Sequence, residues 1–192
     1  MNSSSDYYYL RSTLKDLLLL RSVRRGEFVL ASGRHSSFYI DARLTTMSGE
    51  GLAVVGGVGL DRLAARGWTP RSVGGLTLGA DPVAYALALT ATRRGQRLDA
   101  FTVRKQAKTH GTGRRIEGCF ARGDAVVVVE DVLTTGGSAL EAVAAVQSEG
   151  GHVLGVLAIV DREEGGRQAI ERAGYPVETV LTVSELGLVP AT

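Results

Sequence analysis

The sequence predicts an α/β fold: a mostly parallel sheet flanked by helices, with a small N-terminal cap beside it. Three observations lead there. From Val73 onward, strand-like apolar runs alternate with segments of helical spacing, the order that builds a parallel sheet through helical crossovers. The run 125–129, AVVVV, is apolar without a break, as expected of a strand covered on both faces. The 192 residues, 44% hydrophobic and 22% charged, are enough for one ordinary domain with a buried core.

Element by element, Ser12 or Thr13 is placed to cap a first helix carrying Leu14, Leu17 and Leu18, which Gly26 ends. Phe28-Val29-Leu30 reads as a short strand, Ser32-Gly33 as a turn, and 37–41, SFYID, as a second short strand of aromatic and β-branched types. Leu52, Val55, Val58, Leu60 and Leu63 recur at helical spacing and predict a helix over 51–65, despite its glycines. The strand 73–76, VGGL, runs into the loop 77–82, TLGADP, and a helix over 83–92. A strand at 100–103 precedes a long polar stretch reaching Glu117. After the strand at 125–129 come a helix at 136–148, a strand at 153–160, a helix at 167–173 and a strand at 177–183. With no internal repeat or linker, 1–192 is expected to be one domain, a cap or hood over 1–45 and an α/β core over 46–192.

Composition narrows the function. A net charge of +2 with no Lys/Arg tract argues against dedicated nucleic-acid binding. The single cysteine, Cys119, excludes an intramolecular disulfide framework and a cysteine zinc cluster, and is expected to pack as a small apolar group. The start, MNSSSDYYYL, lacks a basic stretch followed by a long apolar run, and Leu17 to Leu20 are hemmed in by Lys15, Asp16, Arg21 and Arg24. A soluble cytoplasmic protein is the expectation. His35 and His152 read as surface and strand-edge residues, while Trp68 and Tyr7-Tyr8-Tyr9 carry no functional argument.

Chemistry concentrates in 126–138, VVVVEDVLTTGGS. A buried strand runs into Glu130 and Asp131, then Thr134, Thr135, Gly136, Gly137 and Ser138, where a helix starts. In an open α/β sheet ligands sit outside the carboxyl ends of strands. A Gly/Thr/Ser turn opening a helix there offers free N–H groups, hydroxyls and the positive dipole end, which suits a phosphate. Two carboxylates beside a phosphate make sense if they face sugar hydroxyls or a Mg²⁺ next to it. The stretch contains neither G-K-[ST] nor G-x-G-x-x-G.

A second stretch, 104–113, RKQAKTHGTG, puts Arg104, Lys105, Lys108 and His110 on a glycine-bearing loop. Long loops of this kind are often lids, here over 104–117. Cations that arrive with closure would stabilise charge on an anionic leaving group.

The stretch 126–138 resembles the signature by which type I phosphoribosyltransferases bind 5-phosphoribosyl-1-diphosphate (PRPP), and R-K-x-x-K-x-H-G after a strand resembles the catalytic loop of orotate phosphoribosyltransferases. The resemblance implies a type I phosphoribosyltransferase-like fold and transfer of the phosphoribosyl group to orotate. The products would be orotidine 5′-monophosphate, in de novo pyrimidine biosynthesis, and pyrophosphate. It implies that Glu130 and Asp131 meet the ribose hydroxyls, that Thr134, Thr135, Gly136, Gly137 and Ser138 wrap the 5′-phosphate, and that Arg104, Lys105, Lys108 and His110 bind the pyrophosphate end. Lys108, with Asp131, is the catalytic candidate. Tyr39, Ile40, Thr134 and Arg162 fall at positions for orotate. From the residues alone, Arg162 reads equally well as a surface arginine in a turn. Mg²⁺ is implied as the cofactor, held mainly through PRPP, and the resemblance also implies a homodimer whose lid reaches the neighbouring site.

Three departures stand out: Ala31 and Gly79 where many or some members carry Lys, and Glu130 for the commoner Asp. Backbone N–H groups of Leu78, Gly79 and Ala80 are left to hold the anion. Two other readings keep the grip. A purine phosphoribosyltransferase has no reason to carry the lid motif, and a PRPP-sensing transcriptional regulator would add a DNA-binding segment or a basic face.

Overall fold

The computed structural model describes residues 3–29, 35–106 and 115–189. Two sheets organise them. An antiparallel ribbon pairs β1 (Val23–Val29) with β2 (His35–Ile40). The main sheet has the order β5-β4-β3-β6-β7-β8, from β3 (Ser72–Leu76), β4 (Asp99–Val103), β5 (Ile116–Gly118), β6 (Ala125–Leu133), β7 (His152–Asp161) and β8 (Val177–Thr182). All its pairings are parallel except β4 with β5. The helices are α1 (Ser3–Leu17), α2 (Arg43–Thr46), α3 (Gly49–Ala65), α4 (Ala80–Arg93), α5 (Gly137–Ser148) and α6 (Gly166–Arg172).

The central strand explains the layering. Val127 and Val129 of β6 belong to one core with α1, α3 and α4, whereas Val126 and Val128 belong to a second with α5 and α6. Alternate side chains of one strand thus fill both layers, which is why the run contains no polar residue. The strand–helix alternation read from the sequence is the observed architecture.

The N-terminal region corrects the expected elements. The first helix starts by Ser3 and includes Tyr7, Tyr8 and Tyr9, so neither Ser12 nor Thr13 caps it. Thr13 instead turns its hydroxyl back on the Tyr9 carbonyl, 3.0 Å away, a bond that satisfies the side chain inside a helix. The helix continues through a π-helical turn, Leu18–Ser22, that buries Leu18. Gly26 does not end it: Gly26 lies within β1, where the register with β2 shifts between Arg25 and Phe28. Cys119 is exposed rather than packed, just beyond the short edge strand β5. Among the described residues no helix is long and apolar enough to cross a membrane.

Candidate active site

Strand β6 is longer than its apolar run. It continues through Glu130 and Asp131 to Leu133, because β7 pairs with it as far as Leu133↔Asp161, whereas β3 pairs only up to Val128. The two acids therefore sit inside the carboxyl end of a strand that outruns one neighbour. The next turn is tight. Gly136, with φ of +86°, caps α5 in the left-handed region; a Cβ there would lie 3.0 Å from the Gly166 carbonyl oxygen and 3.2 Å from Ile170. No side chain among the described residues caps α5, so its first N–H groups stay open beside Thr134, Thr135 and Ser138.

The acids are perturbed by their surroundings. Glu130 is 7% exposed, and its Oε2 has no hydrogen-bond partner among the described residues. Burial, reinforced by the charge of Asp131, pushes its carboxyl up to about 8. Burial also raises the Asp131 carboxyl, against the hydrogen bond from the Val132 N–H (2.8 Å) and the nearby charge of Arg43. Arg43 is itself paired with Asp41 at 2.8 and 3.0 Å, a bidentate contact that lowers the Asp41 carboxyl.

The loop from β3 into α4 reaches the same acids. A Cβ at Gly79 would meet the Asp131 Oδ1 at 2.3 Å, so the backbone of Gly79 lies directly against that carboxylate. This gives a physical reason for one departure: a lysine at position 79 has no room unless Asp131 moves.

Arg162 resolves toward the site. It is 4% exposed and not a surface turn residue. Its N–H donates to the Leu133 carbonyl at 2.9 Å, its Nε bonds Glu164 at 2.7 Å, and its guanidinium carbon lies 5.0 Å from the Phe38 ring centre. Its Nη2 is buried without a partner among the described residues, an unsatisfied cationic donor that invites an anionic or carbonyl ligand. Beside it on β2, Ile40 is buried and Tyr39 is 41% exposed, with its ring 5.8 Å from that of Phe28. The structure thus gathers Arg162 with β2 and ties it to the end of β6.

Arg104 and Lys105 leave β4 on the surface. Arg104 faces Glu117 at 3.4 Å, and the Arg115 guanidinium donates to the carbonyls of Arg104 at 3.0 Å and Lys105 at 3.4 Å. Lys108 and His110 lie outside the described residues, as do Ala31 and Arg34. Sequence reasoning missed Phe38 as the partner of Arg162, and Asp41 and Arg43 as neighbours of Asp131. The spacing of opposite charges at Asp41 and Arg43 was the available signal.

No family model matches the chain. It is 47% identical over 175 residues to the orotate phosphoribosyltransferase of Mycobacterium avium, covering 91% of this chain and 95% of that protein. Solved structures agree. The Mycobacterium tuberculosis orotate phosphoribosyltransferase in complex with Fe(III) dicitrate is 46% identical with a TM-score of 0.82, covering 93% of this chain and 99% of that one. The same enzyme in complex with PRPP is 39% identical with a TM-score of 0.76, covering 93% and 92%.

Proposed function

The chain belongs to the orotate phosphoribosyltransferase family, and from that premise we propose how its own residues carry the transfer of the phosphoribosyl group of PRPP to orotate. The reading rests on one observation above the others: a buried carboxylate, Glu130, and a half-buried one, Asp131, run directly into an uncapped helix start closed by a left-handed glycine. The open N–H groups of α5, with Thr134, Thr135 and Ser138, take the 5′-phosphate; Gly136 and Gly137 let the backbone close on it. Glu130 and Asp131 take the ribose hydroxyls. The Glu130 Oε2, which has no partner among the described residues, is suited to a hydroxyl, and a protonated carboxyl can also donate to one.

At the other end, the open amides of 78–80 and the cations Arg104, Lys105, Lys108 and His110 receive the diphosphate. Orotate lies between Tyr39 and Ile40 on β2, Thr134, and the unpaired Nη2 of Arg162, whose fork suits a planar acid. No side-chain nucleophile is called for. The protein holds orotate in line with the ribose carbon, and Lys108 meets the charge that develops on departing pyrophosphate.

Mg²⁺ belongs to the proposal. It would be held mainly through PRPP oxygens, with the Asp131 carboxylate the hard oxygen donor at hand beside them. When bound, Mg²⁺ neutralises diphosphate charge.

A homodimer is also proposed. Leu44, Met47, Leu78, Tyr85 and Leu89 are exposed large apolar residues on α2, just after it, on α4 and in the loop before α4. A second copy docking there would cover them and bring its lid, 104–117, near this site. A cytoplasmic location completes the reading, and the exposed free thiol of Cys119 suits a reducing compartment.

Pyrophosphate release from PRPP, with orotate, uracil, adenine, hypoxanthine and xanthine offered separately, tests the base. Release with orotate alone is expected; equal release with a purine would overturn the assignment.

A further inference from the structure

The turn between β3 and α4 is braced by a carboxylate that the transfer does not otherwise use. Asp81, in the first turn of α4, is only 9% exposed, and both of its oxygens are occupied. Oδ2 accepts from the Thr77 hydroxyl at 2.7 Å and Oδ1 from the Thr102 hydroxyl at 2.8 Å. The Tyr85 hydroxyl lies 3.0 Å from that of Thr102, extending the chain of bonds to the surface. Thr77 is held a second time, its N–H donating to the Val103 carbonyl at 2.9 Å.

These anchors sit at informative places. Thr77 is two residues before Gly79, whose backbone lies against Asp131. Thr102 is two residues before Arg104, where the lid begins. The pairing of β3 with β4, Gly75↔Thr102 and Leu76↔Val103, brings the two strand ends together, and Asp81 pins them side by side. A buried carboxylate with two hydroxyl donors is well satisfied, and the helix dipole favours its charge.

We propose that Asp81 is a positioning residue for the diphosphate end of PRPP: by tying the Thr77 turn to Thr102 near the end of β4, it fixes the amides of 78–80 relative to Arg104 and Lys105. It touches no substrate. Its effect is preorganisation, which keeps donors in place before charge develops and spares reorganisation during the reaction. The inference rests on the turn at 77–79 receiving the diphosphate, as proposed above.

The test compares PRPP with ribose 5-phosphate, which lacks the diphosphate, by titration calorimetry on wild type, Thr77→Val, Thr77→Ser, Thr102→Val and Gly79→Ala, each first checked for a native circular dichroism spectrum. Thr77→Val should weaken PRPP about tenfold, in line with losing a hydrogen bond to a charged group, and leave ribose 5-phosphate within about twofold. Thr77→Ser, which keeps the hydroxyl, should restore PRPP binding. Thr102→Val should act in the same direction, and serves as the probe if Thr77→Val does not fold. In turnover, the KM for PRPP should rise and that for orotate hold. Equal losses for both ligands would overturn the proposal and make Asp81 a general structural brace. If Gly79→Ala shifts the PRPP to ribose 5-phosphate ratio while the threonine variants do not, the turn receives diphosphate without help from Asp81, and the proposal is again overturned. If no variant shifts the ratio, the assignment of the turn itself falls.

Discussion

Two strand-to-helix turns stand close together at the carboxyl edge of the sheet, and they are built in opposite ways. Each starts a helix on a glycine with no side-chain cap, Gly136 before α5 and Gly79 before α4. The β6 turn carries its own chemistry: two acids, three hydroxyls and a left-handed backbone at Gly136. The β3 turn directs its polar side chains, Thr77 and Asp81, at each other. Gly79 keeps right-handed dihedrals, lies against Asp131 because it has no side chain, and is held through Thr77 by Asp81. One turn gathers acids and hydroxyls around an open helix start; the other is a length of backbone held in place by Thr77 and Asp81. On the proposed reading, charge for the diphosphate beside the second turn comes from the cations that follow β4.

Removing the leading lid cation puts the difference between the two turns to its hardest test. Lys108→Ala is expected to lower turnover by roughly 10²-fold or more at saturating PRPP, as for loss of a transition-state charge contact. Unchanged turnover would mean that the backbone turn suffices without the lid. Mixing that variant with Asp131→Ala should recover part of the activity if the lid serves the neighbouring copy. No recovery after confirmed subunit exchange would confine the lid to its own site.

A second change addresses the bare turn. Gly79→Lys adds the charge that the family resemblance leads one to expect there, yet here it should raise the KM for PRPP by about tenfold, because the new side chain displaces Asp131. A lowered KM would show that Asp131 yields readily and that the turn is not set against it.

The smallest effect concerns the ligating turn. The folded state holds the Glu130 carboxyl at about 8, above its ordinary 4.5, so the folded protein keeps a proton that the unfolded chain releases. Its contribution to stability is complete below about 4.5 and is lost as pH rises toward about 8. Glu130→Gln has no such dependence. Its melting temperature relative to wild type should therefore improve by a few degrees between pH of about 5 and about 8.5. A gap that does not change with pH would mean that Glu130 is ionised throughout.

The β6 turn was legible in the sequence because its signals are local: an apolar run, paired acids and T-T-G-G-S. The end of the strand was not, because acids discourage a strand assignment and only pairing with β7 carries β6 through Glu130 and Asp131 to Leu133. The start of α1 was missed for the converse reason. Serines and tyrosines at positions 3–9 lack a clear apolar stripe, and Leu14, Leu17 and Leu18 anchor the helix from its far end. Asp81 looked like part of a loop; its bond to Thr102, 21 residues away, exists only once β3 and β4 lie side by side. The burial of Arg162 is likewise a tertiary fact, fixed by Phe38 from the ribbon and Leu133 from β6.

That contact between Arg162 and Phe38 also bears on how base choice could be changed. A guanidinium at the end of β7 rests on an aromatic ring from a separate two-stranded sheet, so the proposed orotate site would have one wall in each. On the proposed reading, remodelling the ribbon would alter which planar acid is accepted and leave the sugar and phosphate groups of β6 and α5 unchanged. The ribbon is therefore the part to exchange when a new acceptor is wanted on an unchanged donor site.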